Sequence, residues 1–352
     1  MMMKAVVFVK PGKIEVAERP IPKAGPGEVV IKVSTTTICG TDIHIMKGEY
    51  PVSAGRIIGH EAIGTVYELG PGVTGYYLGQ RVLVGAITPC GQCYSCLDFH
   101  HSQCGGKTMG GWRLGNTIDG CQAEYFVAPH AMANLAVIPD ELSDEQVLLC
   151  PDIMSTGFAG AENGQIKIGD CVVVFAQGPI GLLATVGAKL KGASKIIVVD
   201  KSPRNLSIAR ELGADVTIDY TKCDAIAEIM KQTKGMGADV AIEALGTQQT
   251  FDSCLRSLKP GGTLSSLGVY SGKLSIAAEA FAAGLGDYKI VTSLCPGGKE
   301  RMRRMISVIQ SGHISLLPLI THRFTFNEIE KAYDLFANKH DGVVKVAITM
   351  NK

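Results

Sequence analysis

The second half of the chain alternates apolar strands with helical stretches, and this restricts the fold more than any other feature. Segments 170–176, 195–200 and 215–220 have the length and composition of buried strands. The stretches between them, 178–193 and 202–214, have helical patterns. A β-α-β-α-β order of this kind predicts a parallel sheet with helices packed on its faces, and therefore an α/β fold.

The first 150 residues have a different texture. Short β-branched runs bounded by Gly and Pro predict strands near 4–9, 27–38, 60–70 and 80–87. After the alternating part, an amphipathic helix at 299–312, a second helix at 326–339 and a strand at 342–350 end the sequence. The predicted plan is a β-rich part, an inserted α/β domain and a C-terminal return.

Composition excludes several classes of protein. The 352 residues are 46% hydrophobic with a formal net charge of +1, which allows two packed domains and argues against a nucleic-acid or anionic-membrane partner. The start lacks the apolar core of a signal peptide, and no apolar run reaches the length of a membrane span. We therefore expect a cytoplasmic enzyme whose 11 cysteines are reduced thiols or metal ligands.

The turn after the first α/β strand predicts a dinucleotide site. Gly178 and Gly181 fit the last two positions of G-x-G-x-x-G, but Ala176 stands where the first glycine usually is. Small residues let the backbone approach a pyrophosphate at a helix N-terminus, and Asp200 at the end of the next strand can accept bonds from ribose hydroxyls. Because a carboxylate repels a 2′-phosphate, this pattern favours NAD over NADP. The cofactor contacts predicted here are Gly178, Gly181, Asp200, Lys201 and Arg204.

Four cysteines at C-x2-C-x2-C-x7-C spacing predict a zinc site in one loop. Cys90, Cys93, Cys96 and Cys104 suit one tetrahedral metal better than a set of disulfides. A zinc held by four thiolates has no open position, so this site is predicted to be structural.

A second, scattered set of ligand-type residues suggests a catalytic zinc. Three protein ligands of mixed type leave one coordination position for water or substrate. The set consists of Cys39, Thr41, Asp42 and His44 in one segment, His60 and Glu61 in another, and Cys150, Asp152 and Thr156 in a third.

In these residues the chain resembles the zinc-dependent medium-chain alcohol dehydrogenases, over nearly its whole length. The segments GHEAIGTV, the four-cysteine loop, STGF and QGPIG come in the order of that family. PDIMSTGFAGAE, GGWRLGNTIDG and LCPGGKERMRRMI resemble the tetrameric secondary-alcohol dehydrogenases in particular. The resemblance implies a GroES-like β-rich catalytic domain at 1–153 and 296–352, a Rossmann doubly wound parallel sheet at 154–295, and a homotetramer. Members of that subgroup often lack the four-cysteine loop and many use NADP, so its cofactor is not transferred to this chain.

The resemblance also implies roles for individual residues. Cys39, His60 and Asp152 match the ligands of the catalytic zinc, with Cys150 as the alternative to Asp152. Glu61 matches a carboxylate that can enter the coordination sphere, and Thr41 and His44 match the proton relay. Further residues match cofactor contacts: Thr156, Pro179, Ile180, Leu245, Gly268, Val269, Tyr270 and Lys345. Those matching the substrate pocket are Ile87, Trp112, Leu294 and Cys295, although Trp112 could instead be a core residue and Lys345 a solvated one.

The expected activity is reversible hydride transfer between a small secondary alcohol and NAD, with two zinc ions per chain. A polyol or sugar-alcohol dehydrogenase of the same superfamily is the alternative, but it needs polar pocket residues where Ile87 and Trp112 are apolar. A zinc-ribbon binding module does not explain the dinucleotide pattern. A zinc-free reductase does not explain Cys39, His60 and Asp152 together.

Overall fold

The computed structural model describes residues 1–350 and divides them into two compact units. Unit 1 comprises Met1–Ser155 and Cys295–Lys352, and unit 2 comprises Thr156–Leu294. The chain thus changes unit two residues after the first predicted boundary and one residue before the second. Among the described residues, no helix combines the length and apolar character needed to cross a bilayer.

Unit 1 is built mainly from antiparallel strands. Its β-strands are β1 (Met2–Lys10), β2 (Lys13–Pro20), β3 (Val29–Thr36), β4 (Ala62–Leu69), β5 (Arg81–Val84), β6 (Tyr125–Ala128), β7 (Leu135–Val137), β14 (Ile320–Thr325) and β15 (Lys345–Thr349). A seven-stranded sheet has the order β14-β15-β3-β4-β5-β7 with β6 beside β3, while β1 and β2 form a hairpin. Apolar residues from the inner faces of β3, β4 and β5 form its core.

The helices of unit 1 are short, except for the one that follows the return of the chain to this unit at Cys295. They are α1 (Gly40–Lys47), α2 (Tyr94–Leu97), α3 (Ala131–Asn134), α4 (Asp144–Val147), α10 (Lys299–Gln310) and α11 (Ile329–Ala337). A π-helical turn, Cys150–Met154, leads directly into α5 (Ser155–Asn163), at whose first residue the chain leaves unit 1. Helix α10 buries Met302, Met305, Ile306 and Ile309, the apolar face predicted from its sequence.

Unit 2 contains the predicted parallel sheet. Its strands are β8 (Cys171–Phe175), β9 (Lys195–Asp200), β10 (Val216–Asp219), β11 (Ala238–Glu243), β12 (Leu258–Ser266) and β13 (Lys289–Thr292), and its helices are α6 (Pro179–Leu190), α7 (Pro203–Glu211), α8 (Ala225–Gln232) and α9 (Gln248–Ser257). All neighbouring strands are parallel, in the order β10-β9-β8-β11-β12-β13. The order reverses between β8 and β11, and open α/β sheets bind their ligands outside the carboxyl ends of the strands at such a point.

Candidate metal centres and dinucleotide site

Three separate segments of unit 1 supply the scattered ligand set. Cys39 is the N-cap of α1, and its backbone N–H donates to the Asp42 carboxylate at 2.9 Å, which fixes the start of the helix. His60 and Glu61 come immediately before β4. Asp152 lies in the π-helical turn, a distortion that frequently marks functional sites.

The structure brings Cys39, His60, Glu61 and Asp152 together. One ligand atom from each lies within 4.8 Å of all the others. The Cys39 Sγ is 3.2 Å from Asp152 Oδ2, and His60 Nε2 is 3.6 Å from the same oxygen. Cys150 is outside this group, because its buried Sγ lies 3.7 Å from the Met154 sulfur. Asp152, rather than Cys150, is therefore the third donor beside Cys39 and His60.

A buried polar network lies behind His60. The Asp42 carboxylate, only 1% exposed, has Oδ1 3.5 Å from His60 Nδ1. Gln122 donates to Asp42 Oδ2 at 3.1 Å and accepts a hydrogen bond from the Tyr333 hydroxyl at 2.6 Å. A carboxylate behind a ligating histidine orients its ring. Gln122 and Tyr333 were not predicted to belong to the site, because no local motif connects residues so far apart in the chain.

Glu61 forms a fully buried ion pair with Lys345. The Lys345 ammonium donates to Glu61 Oε1 at 2.7 Å and to the Ile38 carbonyl at 3.0 Å. Lys345 is 1% exposed, so it is not the solvated lysine that the sequence left open as an alternative, and its ammonium neutralises a buried carboxylate. Burial raises the pKa of Glu61 to about 6, and the charge of Lys345 limits that rise.

The charge and donor types of the scattered site fit a divalent zinc ion. Burial and the Asp152 charge both raise the pKa of the Cys39 thiol. Asp42, Glu61 and Asp152 bring three carboxyl groups close to the Cys39 thiol, and Glu61 Oε2 is buried without a hydrogen-bond partner among residues 1–350. Crowded acidic groups of this kind are costly to bury unless a cation compensates them. One sulfur, one imidazole nitrogen and carboxylate oxygens are the donors that zinc takes in catalytic sites.

The four-cysteine loop also fits zinc, in a closed geometry. Cys93 Sγ lies 3.4 Å from Cys96 Sγ and 4.0 Å from Cys104 Sγ, and Cys90 Sγ lies 3.9 Å from Cys96 Sγ. A tetrahedron with zinc–sulfur bonds of about 2.3 Å places its sulfurs about 3.8 Å apart. The Gly105 N–H donates to Cys93 Sγ at 3.1 Å and lowers the pKa of that thiol to about 6. We call residues 90–106 the zinc lobe.

Two aromatic side chains, Trp112 and Tyr50, lie near the scattered donor set, and we call this pair the aromatic wall. The Trp112 ring is 6.3 Å from the His60 ring and 5.3 Å from the Tyr50 ring, edge to face in both cases. Trp112 is 7% exposed, and its indole nitrogen has no hydrogen-bond partner among residues 1–350. Tyr50 was missed in the sequence, although its position six residues after His44 on the same segment was an available signal. Its ring also lies 5.9 Å from that of His44.

The other predicted pocket and relay residues have contrasting environments. Ile87 and Cys295 are buried in unit 1, and the Cys295 Sγ lies 3.8 Å from the Asp152 carbonyl. Leu294, half-buried, is the last residue of unit 2. His44 is exposed and its Nδ1 pairs with the Glu49 carboxylate, while Thr41 is half-buried in the first turn of α1.

The dinucleotide turn follows β8 as predicted, with a conformation that the sequence did not reveal. Ala176 has φ +68°, the left-handed region that favours glycine. A Cβ at Gly181 would lie 1.8 Å from the Ala176 carbonyl oxygen, so only glycine fits there. The Asp200 carboxylate accepts from the Gln177 N–H at 2.6 Å and from the Ser202 N–H at 2.8 Å. Asp200 therefore holds the turn in place through these two bonds.

The remaining predicted cofactor residues lie on unit 2 with different exposures. Gly178 is the N-cap of α6, and Pro179 and Ile180 are its first residues. Lys201 is exposed just before α7, and Arg204 is exposed in its first turn. Thr156 is buried in α5, Gly268 is half-buried, and Leu245 and Val269 are exposed. Tyr270 is half-buried and has partners within unit 2. Its hydroxyl donates to the buried Glu243 carboxylate at 2.8 Å and its ring packs on Phe251, so the side chain belongs to the core of unit 2.

Family models match both parts of the chain. Residues 25–140 match the alcohol dehydrogenase GroES-like domain and residues 179–311 match the zinc-binding dehydrogenase family. The structure is similar to that of zinc-dependent alcohol dehydrogenase 2 from Streptococcus pneumonia, with a TM-score of 0.92 and 34% identity over 99% of both chains.

Two relatives match nearly the whole of this chain. An alcohol dehydrogenase of Cupriavidus necator is 58% identical over 99% of this chain and 98% of its own. The NADP-dependent isopropanol dehydrogenase of Thermoanaerobacter brockii is 34% identical over 99% of this chain and 100% of its own. With a thiolate, an imidazole and carboxylates gathered at one point and a dinucleotide turn after β8, this chain belongs to the zinc-dependent medium-chain alcohol dehydrogenases.

Proposed function

We propose that the protein interconverts small secondary alcohols and methyl ketones, such as 2-propanol or 2-butanol with acetone or 2-butanone, using NAD. The observation that carries this proposal is the convergence of Cys39, His60 and Asp152 beside an apolar wall. An acidic, buried donor set with an aromatic neighbour suits an uncharged hydroxyl compound that can approach a metal.

Cys39, His60 and Asp152 hold a zinc ion in this proposal, with Glu61 within reach as a fourth donor. Zinc bound there supplies Lewis acidity, which lowers the pKa of an alcohol hydroxyl. Asp42 keeps the His60 ring oriented through Nδ1, so that Nε2 faces the other donors. Lys345 compensates the charge of Glu61 and keeps this carboxylate ionised despite its burial.

Proton transfer to solvent is assigned to Thr41 and His44. The alcohol must lose its hydroxyl proton before its carbinol hydride can leave to a nicotinamide ring. His44 is exposed, so its imidazole can exchange protons with water, and Glu49 fixes the orientation of the ring by pairing with Nδ1. The Thr41 hydroxyl, on the same turn of α1 as Cys39, is the group assigned to pass the proton to His44.

Apolar, bulky side chains near the donor set support a small, uncharged substrate. Trp112, Tyr50 and Ile87 offer apolar surface, and burial of each CH2 group contributes roughly 0.8 kcal/mol to binding. None of these three side chains carries a charge that could hold a carboxylate or a phosphate. The bulk of Trp112 limits the larger substituent on the carbinol carbon.

The preference for NAD rests on Asp200. The isopropanol dehydrogenase of T. brockii is NADP-dependent by name, so the family does not determine the cofactor. Each Asp200 oxygen already accepts one backbone N–H and keeps a further lone pair for a ribose hydroxyl. Hydrogen bonds to a charged group are worth about 1.5–3 kcal/mol, whereas a 2′-phosphate would meet a like charge.

Steady-state kinetics test this function. The kcat/KM values for 2-butanol, ethanol, sorbitol and a bulky aryl alcohol, each with NAD and with NADP, separate the possibilities. We expect 2-butanol with NAD to be best. A clear advantage for sorbitol would support a polyol dehydrogenase, and a higher kcat/KM with NADP would refute the assignment of Asp200.

The same proposal includes two zinc ions per chain, a cytoplasmic location and a homotetramer. Metal analysis of active protein should give two zinc ions per chain, and light scattering should give four chains per particle. One zinc in fully active protein would contradict the assignment of the zinc lobe.

A further inference from the structure

We propose that the zinc lobe also positions the alcohol pocket, through His101 and Ser102. This inference rests on the proposed function for its substrate, but its structural content can be tested separately. Both residues begin the 3-10 turn His101–Gly106, which follows α2 in unit 1 and contains Cys104, the last cysteine of the lobe.

Two side chains of the lobe reach the segment that begins at Cys295. The Ser102 hydroxyl, in a side chain that is 8% exposed, donates to the Cys295 carbonyl at 2.8 Å. The His101 Nδ1 lies 2.8 Å from the Gly297 carbonyl oxygen. A carbonyl can only accept, so Nδ1 carries the hydrogen of this bond. Cys295 itself touches the Asp152 carbonyl, so these two bonds fix a chain segment next to the catalytic donors.

The same turn also holds the segment that carries the aromatic wall. The Gly111 N–H, immediately before Trp112, donates to the Ser102 carbonyl at 3.0 Å. A Cβ at Gly111 would lie 2.4 Å from the His101 carbonyl oxygen, so the two backbones are in close contact. The backbone that carries Trp112 therefore packs against the zinc lobe, and this contact fixes the position of the side chain.

Ile87 joins the same arrangement. The Thr88 N–H donates to the Gly111 carbonyl at 2.8 Å, which ties the residue after Ile87 to the Gly111 backbone. On its other side, a Cβ at Gly297 would lie 2.3 Å from the Ile87 carbonyl oxygen. Ile87, Trp112 and Cys295 thus meet around one turn of the zinc lobe, although they are distant in sequence.

The position of this turn depends on the four thiolates. Ser102 is two residues before Cys104, whose Sγ accepts from the Cys90 N–H at 3.3 Å. Closure of the four-sulfur site therefore fixes the residues that bind the pocket segments. His101 and Ser102 are positioning residues, because they act through Cys295, Gly297 and Gly111.

Single substitutions in the zinc-loaded full-length protein test this role. Ser102→Ala and His101→Leu each remove one bond to the pocket segment. His101→Asn keeps a donor near the place of Nδ1 and serves as the rescue variant. His100→Leu is the matched control, because the neighbouring His100 side chain is at the surface, where its Nε2 pairs with Asp98 at 3.4 Å.

Trp112 supplies a readout that needs no turnover, since it is the only tryptophan in the chain. We expect Ser102→Ala and His101→Leu to shift its emission to longer wavelength and to raise acrylamide quenching at least about twofold. In the same variants the KM for 2-butanol should rise about three- to tenfold, the effect of one buried hydrogen bond, with the KM for NAD changed less than twofold. His101→Asn and His100→Leu should behave like the wild type in both measurements.

Two results would overturn the inference. One is a lower melting temperature in Ser102→Ala and His101→Leu with unchanged Trp112 fluorescence and unchanged KM for the alcohol. The other is a change of the same size in His100→Leu. If the wild type fails to oxidise alcohols at all, the proposed function falls while the fluorescence comparison still decides whether the lobe positions Trp112.

Discussion

The two metal centres use opposite means to gather four donors. The zinc lobe takes four identical thiols from one stretch, Cys90 to Cys104, and supports them with backbone N–H groups. The scattered site takes a thiol, an imidazole and carboxylates from three segments, and two of its donors, Cys39 and Asp152, are more than 100 residues apart. It also buries the Lys345 ammonium, which compensates the charge of Glu61. A local, uniform set gives a closed site, and a mixed, long-range set leaves room for a reaction.

Cys39→Ser gives the largest expected contrast between the sites. Loss of the thiolate should lower kcat by about a thousandfold or more, which is roughly 4 kcal/mol of transition-state stabilisation. The zinc content should fall to the one ion of the lobe. Cys150→Ala is the control, because this cysteine is buried nearby without belonging to the donor set. A larger loss of turnover in Cys150→Ala than in Asp152→Ala would reverse the choice of third ligand.

Lys345→Met tests whether the scattered site depends on its counter-charge. Removing one partner of a buried ion pair typically costs about 3–5 kcal/mol, because the other charge is left uncompensated. Calorimetry should show a lower melting temperature for Lys345→Met and partial recovery in the Glu61→Gln/Lys345→Met double variant. Equal stability of the wild type and the single variant would mean that Glu61 does not need Lys345.

Cys93→Ser should affect stability more than chemistry. Losing the lobe zinc should reduce the unfolding free energy by about 2 kcal/mol or more, and each kcal/mol corresponds to about 2–4 °C for 150–250 residues. The kcat of the remaining folded protein should fall far less than in Cys39→Ser. A thousandfold loss of kcat with both zinc ions retained would assign chemistry to the lobe.

Chelation should give the smallest difference between the two sites, a difference in the order in which they lose zinc. The scattered site has fewer thiolates and an open position, so we expect its zinc to leave first under a mild chelator. Activity should therefore fall before the melting temperature does, as followed by residual zinc, turnover and calorimetry on one sample. Parallel loss of both properties would show that the two sites are equally labile.

The same contrast explains what the sequence could predict. The zinc lobe and the parallel sheet follow from local spacing and periodicity, so both were predictable from the residues alone. The scattered ligands required the family resemblance, because contacts between Cys39, His60 and Asp152 are set by the folded sheet. Gln122, Tyr333 and Tyr50 had no motif. The buried partners of Lys345 and Tyr270 could not be predicted, because sequence does not show which side chains meet in the folded chain.

Ala176 has a consequence for engineering. Its left-handed backbone costs an L-residue roughly 1–2 kcal/mol, and Ala176→Gly would remove that strain. Glycine also gives the unfolded chain more conformations, which offsets about 0.4–1 kcal/mol of the gain. The net change in stability is therefore small, and what the methyl group mainly provides is a stiffer cofactor turn. Laboratory evolution for faster coenzyme exchange could begin at this methyl group, since removing it loosens the turn at little cost in thermal tolerance.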